Sequence, residues 1–422
     1  MIITNTIEIL FHFADMAVLA VFVDGPAVAA VGACGSLILL LISLFTSFAA
    51  GANILISKRI GAGDEPGTNR AVGTSLIIGG LSGIFLAVFA GIFARKFLIL
   101  MNCQPDVLDM AVRYLRIYFL GMPVLMLYNF VAAALRAAGD STSPMIYMIM
   151  GGCINIVVNI FFVVVFHMTV EGVAIGTVLS TAVTLICAFI RLLGKKGLFK
   201  LERSDLRIGR TELLEIVRVG VPTCFCGLFF YAANVILASS VNSMSTDAMT
   251  ANAIAEQFDG IIYTVGAAIA YAASIIVSQN FGAQNFDRIR KTIVISIAYA
   301  AAVSLTLGAI FVMLAEPMLH LLSDSPSVIA IAKDRMTLLC LTYFITSIME
   351  VFAFSLRALQ RQTSTMVVGG ICGFGIRVFW AKFIWPLCPT LSMLFASYAV
   401  SAFAAIVIYI FVYRDAMKKF TA

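Results

Sequence analysis

Three titratable side chains stand close together near the start of the chain. The stretch IEILFHFADMAV, residues 7–18, carries Glu8, His12 and Asp15 among apolar neighbours. Spacings of four and three put all three on one face of a helix. A carboxyl group held in an apolar helix favours its protonated form and releases the proton when it meets water, and a histidine one turn away can relay it. The plainer reading is a neutral Asp15 and a His12 that donate hydrogen bonds to neighbouring helices. A second polar pair, Asn155 and Asn159 in INIVVNIFFV, is four apart and also shares a helical face. Such pairs either line a cavity or bond one helix to another. Glu256, Asp259, Glu350 and Arg377 interrupt later apolar runs. A buried acid without a partner is unfavourable, so Arg377 pairs with Glu350 or Asp259, or else the acids form the negative wall of a cleft for organic cations.

The elements that must position these residues are membrane helices. Of 422 residues, 61% are hydrophobic and 12% are charged, against roughly half and a quarter in soluble domains. The excess comes in blocks long enough to cross about 30 Å of hydrocarbon. Twelve spans are expected, near 1–23, 28–57, 71–97, 109–134, 144–168, 170–193, 214–242, 247–278, 292–315, 328–356, 364–387 and 391–413. The second and eighth are long enough to tilt or bend. Unpaired backbone is prohibitive in lipid and no strand alternation is present, so all are helical. Lys58, Arg59, Arg70, Arg136, the polar stretch 191–220, Arg288, Arg290, Lys291, Arg357 and Arg361 fall on one side. Basic loops stay inside, which puts both termini in the cytoplasm of a cell (inner) membrane protein. Arg95, Lys96, Lys333 and Arg335 run against that bias. The net charge of +6 sits mostly in loops and implies no nucleic-acid partner. No basic segment precedes the first apolar run, so no cleavable signal is expected. CFC at 224–226 has the wrong spacing for a metal, and no metal site is expected.

The chain repeats itself. SKRIGAGD (57–64) returns as SQNFGAQN (278–285), LMNCQPDV (100–107) as LLSDSPSV (321–328), and LRA at 135–137 as LRA at 356–358, all at an offset of 221. The expected fold is therefore an all-α polytopic membrane protein whose 12 transmembrane helices form two parallel six-helix repeats, related by a pseudo-two-fold axis along the membrane normal. The expected organisation is an N-lobe (1–195), a cytoplasmic linker (196–212) and a C-lobe (213–422). The first repeat starts late relative to the amphipathic ELLEIVRVG that precedes Pro222, which is expected either of a truncated chain or of a first span without its entry helix.

Taken in order, FADMAVLAVF with AVAAVG, GANILISKRIGAGD, YLRIYFLGMPVLMLYNFVAAALRAAGDSTSP, INIVVNIFFV, SQNFGAQNFDRIRK and SLRALQRQ resemble the multidrug and toxic compound extrusion (MATE) transporters, in their DNA-damage-inducible-protein-like branch. The likeness covers essentially the whole chain. It implies a non-enzymatic antiporter that exports cationic or amphipathic organic compounds by alternating access, with no cofactor, a proton as coupling ion and sodium as the alternative. By the same resemblance, Asp15 matches the first-helix aspartate of cation coupling, Asn155 and Asn159 share its pocket, and Thr177 lines it. Phe11 stands where a tyrosine is often found, and Asn159 where an acid is. The second-half acid of other branches would fall near Phe230, so that sodium site looks absent. The implied partners are small organic cations or amphipathic drugs and the lipid bilayer, with the chain acting as a monomer. A flippase for lipid-linked precursors is the nearest alternative, and would prefer several Arg and Lys in its cavity. A membrane-embedded enzyme would need paired aspartate motifs, and the sequence shows none.

Overall fold

The computed structural model describes residues 18–421 apart from 20, 24, 102, 195–198, 200, 203 and 321. Glu8, Phe11, His12 and Asp15 lie outside the described residues. Helices account for nearly everything that is described. In chain order they are α1 (Gly25–Gly61), α2 (Glu65–Leu100), α3 (Pro105–Leu120), α4 (Met122–Ala137), α5 (Thr142–Val164), α6 (Val170–Gly194), α7 (Arg210–Asn242), α8 (Thr246–Gly282), α9 (Phe286–Met313), α10 (Ala315–His320) and α11 (Pro326–Ala358). The last two are α12 (Gln362–Leu387), which is partly π-helical, and α13 (Leu391–Lys419 by its apolar span). Among the described residues ten helices are long and apolar enough to cross a membrane, and α3 with α4 makes an eleventh, bent by 46°.

That bend was not among the expected ones. It falls at Gly121, where Pro123 lacks the N–H that would continue the helical ladder. Helix α2 fits closely against it, because a Cβ on Gly83 would overlap the backbone of Met122 and Pro123. The outward faces carry exposed apolar side chains such as Leu81, Phe85, Val88 and Ile92 on α2. In water such a face would be a liability. Against acyl chains it is the solvent-matched surface.

The chain divides into two compact units, one ending at Gly220 and the other starting at Val221. The repeat is written into the helix ends of both. Asp64 caps α2 by accepting from Gly67 N at 2.9 Å, and Asn285 caps α9 by accepting from Arg288 N at 3.1 Å. The residues just before them, Gly63 and Gln284, both take a left-handed φ, of 68° and 55°. Gly139 and Gln360 do the same after α4 and α11, at 87° and 62°. Each pair is separated by 221 positions (284 − 63 and 360 − 139). The same local chemistry thus ends and restarts the chain at the same places in each unit.

In the first unit the segment leading into α7 is held against the polar ends of α1 and α2. Lys58 and Arg59 reach Glu215 at 3.2 and 3.7 Å, and Arg70 reaches Glu212 at 3.5 Å. Thr74 Oγ1 donates to Arg207 O and accepts from Gly209 N, both at 3.1 Å. A Cβ on Gly73 would collide with the Asp205 carbonyl, so glycine is what lets the two backbones touch.

Asp64 gives a test of the capping chemistry. Its bond from Gly67 N, with Arg59 Nη1 donating at 2.7 Å, holds its carboxyl below the usual carboxylate range against a smaller opposing effect of burial. A depressed carboxylate stabilises the fold fully above its unfolded value, about 3.9, and loses that contribution as pH falls through the lower folded value. Asp64→Ala is expected to lower stability by about 1 kcal/mol at neutral pH. The gap from wild type should close in acid. Thermal unfolding in detergent at several pH values checks both, and a gap that stays constant with pH would remove the carboxylate from the explanation.

Candidate functional site

The first unit brings three of the sequence-chosen residues together. Asn155 and Asn159 project from one face of α5, 5% and 0% exposed. Asn159 Nδ2 donates to Asn155 Oδ1 at 3.3 Å, Asn155 Nδ2 donates to Thr177 Oγ1 at 3.3 Å, and Thr177 donates to Val173 O at 2.9 Å. The result is a directional chain from amide to amide to hydroxyl to backbone, within apolar surroundings where such bonds are strong. Gly176 makes it possible, since a Cβ there would strike Asn159 Oδ1. Ser180 and Thr184 extend the polar stripe along α6, each bonding back to a carbonyl of its own helix at 3.0 and 2.9 Å. Thr184 packs onto Gly151 of α5, a close small-residue contact of the kind that joins membrane helices.

The second unit corrects the expected pairing of its acids. Asp259, on α8, pairs with Arg335 of α11 at 2.9 Å, and both side chains are almost fully buried. Arg335 also lies over the Phe395 ring, 4.3 Å from its centroid. It is therefore no external charge running against the positive-inside bias. It is the buried counter-ion that Arg377 was expected to be. Arg377 instead donates from Nε to Ser401 Oγ at 3.2 Å and stacks over Tyr398 at 3.9 Å and Phe230 at 5.5 Å. Stacking on ring faces is a favourable use of a weakly hydrated guanidinium. Tyr398 is itself fixed, donating to Asn234 Oδ1 at 2.7 Å, and Phe230 stacks on Tyr263 with centroids 5.8 Å apart. Among the described residues Nη1 of Arg377 has no hydrogen-bond partner.

Glu350 is half-buried on α11, and Glu256 is exposed, one turn before Asp259. Among the described residues neither takes part in an ion pair. The expected negative wall is thus narrower than its three sequence-chosen acids implied, because Asp259 is already matched. Arg377 sits between two π-helical stretches, Gly369–Ile376 and Trp380–Ile384. Such turns recur where a membrane or soluble helix carries function.

Sequence reasoning missed Arg335, Tyr398 and Ser401. A signal for Arg335 was present, because it falls on the same helical stripe as Leu339, Tyr343, Thr346 and Glu350, which recur at intervals of three and four. The neighbouring Lys333 and Asp334 disguised it as a loop charge.

Comparison with known proteins adds an independent line. The MatE family profile matches residues 1–161 and 222–383. The "Probable multidrug resistance protein YoeA" of Bacillus subtilis is 28% identical over 67% of this chain, and the match spans 62% of that relative's length. The FAD transporter of Shewanella oneidensis is 22% identical over 81% of the chain and 76% of its own. Among solved structures, a MATE protein crystallised in its bent conformation superposes with a TM-score of 0.92 at 19% identity, over all of this chain and 94% of that one. That likeness establishes the same all-helical membrane fold.

Proposed function

The chain belongs to the MatE family, and on that premise we propose that it is an antiporter exporting cationic or amphipathic organic compounds by alternating access, driven by inward flow of protons. No bond is made or broken in such a cycle. The observation that carries the coupling part is the buried chain Asn159–Asn155–Thr177 within two membrane helices of the first unit. Amides and a hydroxyl are costly in hydrocarbon and are retained where they serve a polar site. In this reading they share the coupling role with Asp15 and His12, and Phe11 belongs to the cargo cleft, all three lying outside the described residues. Glu256 and Glu350, the sequence-chosen acids that form no ion pair among the described residues, attract the cationic cargo. The protein works as a monomer in the cell membrane with both termini in the cytoplasm, where Lys58, Arg59 and Arg70 carry the positive-inside charge.

Vesicles containing the purified protein test this directly. An imposed pH gradient is expected to drive uptake or release of a cationic dye, and a sodium gradient alone is not. Dye movement that follows sodium and ignores pH would replace the proton by sodium. Movement with neither would overturn the antiport reading.

A second reading rests on Arg377. A buried guanidinium stacked between aromatic rings, with Nη1 unpartnered among the described residues, suits an anionic aromatic cargo. The FAD transporter relative carries cargo of that chemistry by its name. A flippase for lipid-linked pyrophosphates is less well supported, because Arg335 is already neutralised by Asp259. Competition of an anionic flavin against the dye in the same vesicles separates the readings.

A further inference from the structure

The two units differ at one place where the repeat predicts likeness. On α9 of the second unit, Asp287, Arg290, Lys291, Val294 and Ile295 line an open groove of about 440 Å³. Subtracting the offset of 221 gives Pro66, Asn69, Arg70, Gly73 and Thr74 on α2. That is the face which the segment 205–212 covers in the first unit. There Arg70 meets the Glu212 carboxylate at 3.5 Å, Gly73 admits the Asp205 carbonyl, and Thr74 hydrogen-bonds Arg207 and Gly209.

In the second unit the features that receive a peptide are gone while the cation is kept. Val294 and Ile295 replace the glycine and the threonine, block close backbone approach and offer no hydrogen bond. They are 60% and 66% exposed. Lys291 stands where Arg70 stands, and Arg290 adds a second cation. Asp287 lines the groove too, which leaves a net charge of +1 (two cations less one anion). Among the described residues neither Arg290 nor Lys291 forms an ion pair.

Depth in the membrane separates the polar from the apolar part of the groove. Helix α9 has 28 residues, or about 42 Å at 1.5 Å each, so roughly 6 Å at each end extends beyond a 30 Å hydrocarbon layer. Arg290 and Lys291, about one turn from the start, therefore lie at headgroup level, and Val294 and Ile295 lie one turn deeper at the acyl chains.

We propose that this groove is a binding site for an anionic phospholipid, whose phosphodiester takes the position relative to Lys291 and Arg290 that the Glu212 carboxylate takes relative to Arg70, and whose acyl chains cover Val294 and Ile295. Lipid at this site seals the polar end of the second unit as the 205–212 segment seals that of the first.

Native mass spectrometry of the protein extracted from vesicles of equal phosphatidylglycerol and phosphatidylcholine tests it. Phosphatidylglycerol is expected to be retained preferentially, and R290Q/K291Q to reduce that preference about tenfold or more, while R288Q, on the same turn but outside the groove, leaves it intact. Equal retention of the two lipids, or an unchanged preference in the double variant, would overturn the proposal. A photo-crosslinking residue at position 295 keeps it testable if the double variant does not fold. Adducts with phospholipid are expected, whereas adducts with residues 1–17 would assign the groove to the chain itself. Full displacement of the lipid by millimolar glycerol phosphate would make it a site for free phosphate and overturn it equally.

Discussion

Arg335→Leu will destabilise the second unit by about 3–5 kcal/mol, and replacing Asp259 by leucine in the same protein will restore most of the loss. The substitution removes the only ion-pair partner of Asp259 among the described residues, at 2.9 Å, and leaves a carboxylate stranded in a nearly waterless interior. It also removes the guanidinium from the Phe395 face, worth about 0.5–2 kcal/mol. Desolvation has already been suffered by both charges in the native protein, so the double variant loses the attraction and the penalty together. The sign of the coupling is the test. Reversible unfolding of the two single variants and the double, in mixed micelles, should show the double more stable than either single. A double variant as damaged as the sum of the singles would mean that the pair contributes nothing beyond its packing.

On the proposed proton antiport, Asp15→Asn is expected to reduce efflux to the level of empty vesicles while membrane abundance and cargo binding persist. Asparagine matches aspartate in size and keeps a hydrogen-bonding carbonyl, so what is lost is the capacity to ionise. An ionised carboxylate in the middle of a membrane helix costs about 3 kcal/mol or more, which is the energy difference that a change of surroundings between inward and outward states can exploit. Asp15→Glu should retain part of the activity, because the titrating group survives on a longer stem. Dye release after a pH jump, with fluorescence quenching as a separate measure of binding, distinguishes lost coupling from lost affinity. Undiminished efflux in Asp15→Asn would remove this residue from the mechanism.

Much of the architecture was legible because hydrocarbon imposes few options. Length and hydropathy located the membrane-crossing helices from α2 onward to within six residues at each end, and the offset of 221 aligned Asp64 with Asn285, whose capping role emerged only from the structure. Asn155 and Asn159 were legible for a related reason, since helical spacing alone puts them on one face. Their third member, Thr177, came from family likeness, and Gly176, which makes room for Asn159, carries no signal until the neighbouring helix is in place. Pairing between distant charges was not legible. Asp259 could have met Arg377 or Arg335, and only packing of α8 against α11 selects between them. The bend at Gly121 had a visible cause in Pro123, but proline inside a span is compatible with either a kink or a straight helix until its neighbours are known.

The π-helical stretches of α12 bear on how Arg377 can move. A turn closed by i→i+5 bonds holds one residue more than an α-turn, and each such surplus shifts the helical phase by about 100°. The glycine-rich half before Arg377 and the aromatic half after it are therefore out of step with an ordinary helix. Passing the surplus residue along the span, one hydrogen bond at a time, would swivel the guanidinium about the helix axis with neither end of the span displaced. Such a screw-like adjustment asks nothing of the surrounding bilayer.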